Sequence, residues 1–332
     1  MFALYLLLIS TTVIPQKGQL HTVAFYNVEN LFDAQDNPHT FDDDYTAEGK
    51  NQWTTSLVDQ KVEQLSKVIS TIGYESVKRP PLIIGLAEVE NRPVLEKIVF
   101  SKKLKVYDYG IIHFDSPDFR GIDVAFLYQK KHFKPTHQKI YPIDLTDPKT
   151  GYKRTTRDIL VVSGYLNRHY LSFLVNHWPS RRGGKVLSSH HRMRAAFIHK
   201  KITDSLFKKF PSGKIISMGD YNDNPSDKSL RWIMGKDQTR QLVNPMMSLA
   251  KKRVGSLAYN DRWFLFDQIL FSPNWLNDDH LFLIKAHVFR PLFLKTLRGR
   301  FQGYPYRVEK SNGTLRGYSD HFPVYAINGE KL

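Results

Sequence analysis

The stretch ISMGDYNDNPSD, residues 216–227, starts as an apolar run and then crowds Asp220, Asn222, Asp223 and Asn224 ahead of Pro225. Asp, Asn, Gly and Pro are the usual turn formers, so one reading is a surface turn. The other is a polar site, because strand ends carry chemistry in α/β folds. The stretch alone does not choose between them. What stands at the ends of the other strand-like runs does.

Those runs are HTVAFYNV (21–28), PLIIGLAEV (81–89), DVAFLY (123–128), DILVVSGYL (158–166), YLSFLVNHW (170–178), KIISMGD (214–220), FLFDQILFS (264–272) and HFPVYAI (321–327). Several are almost continuously apolar, as strands covered on both faces are. Helical spacing falls between them. Leu57, Val62, Leu65, Val68, Ile69 and Ile72 share one face, and Ala195, Ile198, Ile202 and Leu206 form a stripe within 188–209. Interleaved strands and helices without a linker or internal repeat predict one α/β domain over residues 20–332. Residues 30–56 read as a long loop, and the acidic triplet at 42–44 as solvated.

Composition narrows the partners. Lys and Arg number 48 against 32 Asp and Glu, a formal charge of +16, which favours an anionic partner: nucleic acid, a phosphoester or a lipid headgroup surface. With no cysteine, disulfides, thiolate metal sites and cysteine nucleophiles are excluded. The apolar start at residues 2–14 is too short to span a bilayer and reads as part of an export signal over residues 1–19, predicting a secreted or periplasmic protein, with a buried first element of a cytoplasmic protein as the alternative.

Polar side chains close run after run. Asn27 and Glu29 end the first, Glu88 the second, Asn176 and His177 another, Asp220 and Asn222 the next. Asp267 lies in FDQILFS, and Asp320 and His321 stand in GYSDHFPVY. One carboxylate set against an apolar run is normally a satisfied structural group, because burying it alone is costly. Six strand ends of this kind point to one shared site. The blocks N-x-E, AEVEN, NHWPS, GDYND, DQILFS and SDHFPV, in that order over 22–327, resemble the endonuclease/exonuclease/phosphatase superfamily with its DNase I-like fold.

That resemblance implies a four-layer α/β sandwich, two mostly antiparallel sheets flanked by helices, and phosphoester hydrolysis with Mg2+ or Mn2+. It matches Glu88 to the family's metal-binding glutamate and Asn27 and Glu29 to its first-strand partners, with Asp320 close by; such an oxygen-only set suits a hard cation. It matches Asp220 to the residue that orients or deprotonates water, with Asn222 fixing geometry. His321 would bind the scissile phosphate with Asp267 holding its tautomer, and His177 would face the phosphate or leaving oxygen. Asn176, Arg120, Arg157, Arg181 and Arg182 are the candidates for touching phosphate.

Departures from individual branches leave the substrate open. NHWPS replaces the Tyr-Val-Pro-Asn block of abasic-site endonucleases, and SMGDYND and FDQILFS replace the blocks of inositol polyphosphate 5-phosphatases. The basic surplus favours a nuclease on DNA or RNA. A phosphodiesterase or phosphatase on a lipid or small-molecule ester is the alternative, which an exposed apolar hairpin would favour; RPLFLKTL (290–297) is the candidate, expected to be buried instead. A non-catalytic binding protein is disfavoured, since every family position is filled. The chain is expected to act as a monomer, without a stable protein partner.

Overall fold

The computed structural model describes residues 18–147, 150–234 and 241–331. The apolar start at residues 2–14 lies outside them. In chain order the strands are β1 (Gln19–Leu31), β2 (Ile83–Val89), β3 (Tyr109–His113), β4 (Asp123–Gln129), β5 (Phe133–Tyr141), β6 (Ile159–Leu166), β7 (His169–His177), β8 (Lys214–Asp220), β9 (Leu257–Tyr259), β10 (Arg262–Phe264), β11 (Asp267–Phe271), β12 (Leu281–Val288), β13 (Glu309–Ser311), β14 (Thr314–Arg316) and β15 (Val324–Glu330). The helices are α1 (Thr55–Thr71), α2 (Tyr74–Val77), α3 (Arg92–Val99), α4 (Ser189–Lys209), α5 (Lys228–Met234) and α6 (Met247–Lys251).

Two mixed sheets form the body. One has the order β12-β15-β1-β2-β4-β3 and the other β11-β8-β7-β6-β5. Each is antiparallel except for one internal pair, β1 with β2 and β7 with β8. The sheets face each other across a core that includes Phe25, Gly85, Phe126, Phe173, Val175 and Met218. They come close at Gly85, where an added Cβ would lie 3.1 Å from Val175 and 3.2 Å from Met218. Helices cover the outer faces. The periodic stripe of α1 buries Leu57, Val62, Leu65, Val68 and Ile69, each contributing about 1.5–3 kcal/mol. Across the other sheet, Ala195, Ala196 and Ile202 of α4 pack with Leu174, Trp178 and Tyr221.

Three expectations shift. The segment at 30–56 is anchored, with Phe32 stacked on Tyr45 at 4.2 Å and Trp53 donating to Phe32 O. Its acidic triplet is split: Asp42 is buried and accepts from Asn37 N and Thr40 Oγ1, while Asp43 and Asp44 are exposed. In the run at 290–297 Leu294 is buried, but Leu292 is 71% exposed and Leu297 57%. Finally, the last strand starts at Val324 rather than at His321, because Pro323 has no N–H to donate and His321 and Phe322 bond instead to Ser319 Oγ and Ser256 O.

Candidate active site

The strand ends that carry the polar residues meet at one edge of the sandwich. In the five-stranded sheet, register places His177, Asp220 and Asp267 side by side on β7, β8 and β11. Gly219 permits the close approach of β7, since a Cβ there would lie 2.4 Å from Asn176 O. In the facing sheet, Asn27 and Glu88 sit on the parallel pair β1 and β2. Glu88 has φ +63° at an irregularity between β2 and β4, and Glu29 and Asn30 each have φ +53° where β1 shifts register. Such backbone breaks strand alternation and re-aims side chains, at a cost of about 1–3 kcal/mol per residue.

The stretch at 216–227 is both turn and site. Asp220 Oδ1 accepts from Asn222 N at 2.8 Å, and Asn222, left-handed at φ +51°, donates its amide to Trp178 O. The following acids do structural work: Asp223 accepts from Arg181 and Ser229 and pairs with Arg192, and Asp227 accepts from Arg181, Lys185 and Asn224 N.

A cleft of about 390 Å³ opens over these strand ends, lined by Glu88, Arg120, Arg157, His177, Asp220, Asn222 and His321 among others. Buried beside it, Asn27 Nδ2 lies 3.2 Å from Asp220 Oδ2 and 3.4 Å from Glu88 Oε1. His177 Nε2 is 3.7 Å from Asp220 and 3.8 Å from Glu88. His321 Nδ1 is 2.7 Å from Asp267 Oδ2. Two buried atoms beside them, His177 Nδ1 and Asp267 Oδ1, have no hydrogen-bond partner.

Electrostatics separates the two imidazoles. Burial, then the charges of Arg157 and Arg120, hold His177 well below its usual pKa, so it is neutral. Burial also opposes a charge on His321, but Asp267 outweighs it and lifts that imidazole well above the usual value. Burial and then Asp267 push Asp220 up to about 7.

The four expected cation ligands are divided by the structure. Glu88 lines the cleft with Asn27 buried beside it, Glu88 Oε2 being oriented by Asn30 N at 3.0 Å. Glu29 departs from expectation: its left-handed backbone turns the carboxylate to Arg307 Nε and Val308 N, which occupy both oxygens. Asp320, with its side chain 37% exposed, lies 3.6 Å from the same guanidinium and 3.8 Å from His321 Nε2. Asn27 turns its amide nitrogen to Glu88 and Asp220 while its oxygen accepts from Glu29 N, so the open oxygen donors are the carboxylates of Glu88 and Asp320; Glu88 Oε1 is approached by Asn27 Nδ2 at the long 3.4 Å and by His177 Nε2 at 3.8 Å. That chemistry fits a hard divalent ion.

The phosphate candidates divide likewise. Arg120, Arg157 and Arg182 line the cleft, joined by Arg154. Arg157 is braced by Asp118 Oδ2 and Trp178 O. Arg181 is a correction: its guanidinium is spent on Asp223, Asp227 and Asn222 O. Asn176 is another. It neighbours His177 on β7 and so points to the opposite face, bonding Ser217, Met218 O and Trp178 Nε1 in the α4 layer.

Sequence reasoning missed Lys61, Arg307, Asp118 and Arg154. Lys61 is fully buried beneath the site, donates to Glu29 O and Tyr318 O, and is lowered to about 8 by burial. Its signal was available: Lys61 stands midway between Leu57 and Leu65 on the apolar stripe of α1.

A two-sheet α/β sandwich with carboxylates and imidazoles converging at one edge defines the DNase I-like class of phosphoesterases. The chain belongs to the endonuclease/exonuclease/phosphatase family, whose sequence profile matches residues 22–329. Members are hydrolases of phosphoesters and generally depend on a divalent metal. Similar solved structures include an endonuclease/exonuclease/phosphatase family protein from Bacteroides thetaiotaomicron, with 15% identity, TM-score 0.58, and 95% of this chain and 100% of that one covered. The mannosyl-6-phosphatase Bt3783 of the same species has 15% identity and TM-score 0.58, covering 92% and 98%. D. rerio TDP2 in complex with a single-strand DNA product has 16% identity and TM-score 0.56, covering 93% and 98%. At such identities the likeness establishes the fold. Among curated proteins, none matches the sequence.

Proposed function

We propose that this chain hydrolyses phosphodiester bonds of nucleic acid with the help of a divalent cation. The observation that carries the reading is the cleft itself, where Asp220, His177 and the Asp267–His321 pair converge below Arg120, Arg154 and Arg182. The imidazolium of His321 gives its Nδ1–H to Asp267 and presents Nε2–H to a phosphate oxygen. Asp220, held by Asn222 N, takes the proton of the attacking water. Neutral His177 donates to the phosphate or leaving oxygen, as its depressed pKa allows. A magnesium or manganese ion held by Glu88 and Asp320, with Asn27 beside Glu88, would supply Lewis-acid charge to a phosphate oxygen and the leaving group. Arg120, Arg154 and Arg182 meet the backbone anion, and Phe119, 45% exposed beside Arg120 on the cleft wall, offers a ring for base stacking.

A lipid phosphoester is the second reading, favoured by Leu292, Leu297 and Phe301, which stand exposed among Arg290, Lys295, Arg298 and Arg300. A panel of plasmid DNA, RNA, sphingomyelin and bis-p-nitrophenyl phosphate, each with magnesium and with EDTA, separates them. The expected outcome is nucleic-acid cleavage abolished by EDTA. Undiminished turnover in EDTA would overturn the metal requirement. Sphingomyelin turnover, with no salt-sensitive DNA binding by Asp220→Ala, would favour the lipid reading.

A further inference from the structure

Beside the cleft, the β3–β4 turn gathers a second set of ionisable groups that the hydrolytic site does not use. His113, the last residue of β3, pairs in register with Ala125, so Asp123, two residues earlier on β4, is its diagonal neighbour on the same face. His113 Nε2 lies 3.2 Å from Asp123 Oδ2, and Nδ1 lies 4.0 Å from Asp115 Oδ1. One ligand atom from each of His113, Asp115 and Asp123 falls within 4.8 Å of the other two.

Two of its three members have buried side chains, and their polar atoms are incompletely partnered. The His113 side chain is 4% exposed, yet its Nε2 lacks the alignment of a hydrogen bond. Asp123 is 2% exposed, with one oxygen taken by Ser116 N. Asp158, at the start of β6, is 6% exposed and its Oδ1 has no partner. Among the described residues neither Asp123 nor Asp158 forms an ion pair with a lysine or arginine, and His113 is the one basic group paired with Asp123. A buried carboxylate is costly unless a cation or a proton offsets its charge, and a metal ion would serve that part.

We propose that His113, Asp115 and Asp123 bind a second divalent ion of the zinc or manganese type, distinct from the cation of the hydrolytic site. One imidazole with two carboxylates suits borderline transition ions better than magnesium. Zinc bonds of about 2.0–2.2 Å hold ligand atoms roughly 3.3 Å apart, a contraction that the exposed Asp115 side chain is free to make. The ion would tie the turn at 114–122 to β4 at its base. That turn carries Asp118, which braces Arg157, and Arg120, which faces the cleft, so its occupancy bears on the phosphate-binding arginines without entering the reaction.

Zinc is the probe. Crystals of the full chain soaked in zinc chloride and measured at the zinc edge should show an anomalous peak bounded by His113, Asp115 and Asp123. In calorimetric titrations, Asp115→Asn and His113→Gln should each weaken that zinc affinity about tenfold or more, with far-ultraviolet dichroism unchanged. Asp115 is 91% exposed at its side chain, so Asp115→Asn tests the site even if His113→Gln fails to fold. A zinc peak confined to the Glu88 cleft, or equal affinity in wild type and Asp115→Asn, would overturn the proposal.

Discussion

At the start of β1, His21 and Glu330 form a network with both ring nitrogens engaged: Nε2 lies 2.7 Å from Glu330, and Nδ1 accepts from Arg79 at 3.0 Å. Asn167 donates to Glu330 at 2.6 Å, and His169 approaches its other oxygen at 3.5 Å. Six residues on, roughly 20 Å along the strand, Asn27 enters the opposite arrangement. There the backbone of Glu29, Asn30, Glu88 and Asn222 is left-handed, and His177 Nδ1 and Asp267 Oδ1 are buried without partners. One strand therefore joins a network closed around the His21 ring and Glu330, with Arg79 Nε and Asn328 at its margin left unpartnered, to a site whose own imidazole and carboxylate are left open. Finished networks give stability; unfinished ones keep capacity for a ligand, and the strain they carry is compensated elsewhere in the fold.

The hardest blow to this contrast comes from the unfinished end. Asp220→Ala and His321→Ala should each lower turnover at least about 10³-fold; Asp220→Ala should leave urea denaturation near wild type, whereas His321→Ala, which strands the buried Asp267 carboxylate, should also cost some stability. Near-normal turnover in either folded variant would break the role assignment. Glu330→Ala should do the reverse, costing about 3 kcal/mol of stability with the folded fraction fully active; a loss of activity at unchanged stability would erase the distinction. Glu88→Gly removes a left-handed glutamate, so stability should rise by about 1 kcal/mol as hydrolysis fails, readable by paired melting and turnover assays. A drop in stability would show that Glu88 supports the fold.

The smallest effect is on pH. Burial, reinforced by the charge of Arg79 and only partly offset by the bond to Glu330, holds the His21 pKa below its ordinary 6.5. A depressed histidine contributes stability that is present above pH 6.5 and lost as pH falls through the folded value. Denaturation midpoints should therefore decline below pH 6.5, and His21→Asn should flatten that slope. An unchanged slope would remove His21 as its source.

Much of the site was legible because each strand announces its own end: an apolar run stops at a carboxylate, amide or imidazole, and the fold only has to align the stops. Alternation was also readable, and it places Asn176 away from the cleft once His177 faces it. Glu29 was not legible. Its carboxylate is claimed by Arg307, 278 residues away, and no local pattern marks an arginine in a loop as the partner of a strand acid. Arg181 misled for the related reason that a guanidinium beside a catalytic histidine serves a turn as readily as a phosphate. The helices were read from period, and the short α3 was missed although Asn91 caps it by accepting from Val94 N.

The strand order has a kinetic consequence. The five-stranded sheet draws on residues 133–271 alone, so it is complete before synthesis reaches β12. The six-stranded sheet is not, because β15 must slot between β12 and β1, bringing Glu330 to His21 across 309 residues. Contacts of such sequence separation form slowly, and until then one edge of β1 stays unpaired and open to wrong pairing with other chains. The nascent protein thus carries half a scaffold and no hydrolytic centre until His321 arrives, and the long-range insertion of β15 is expected to come late in its maturation.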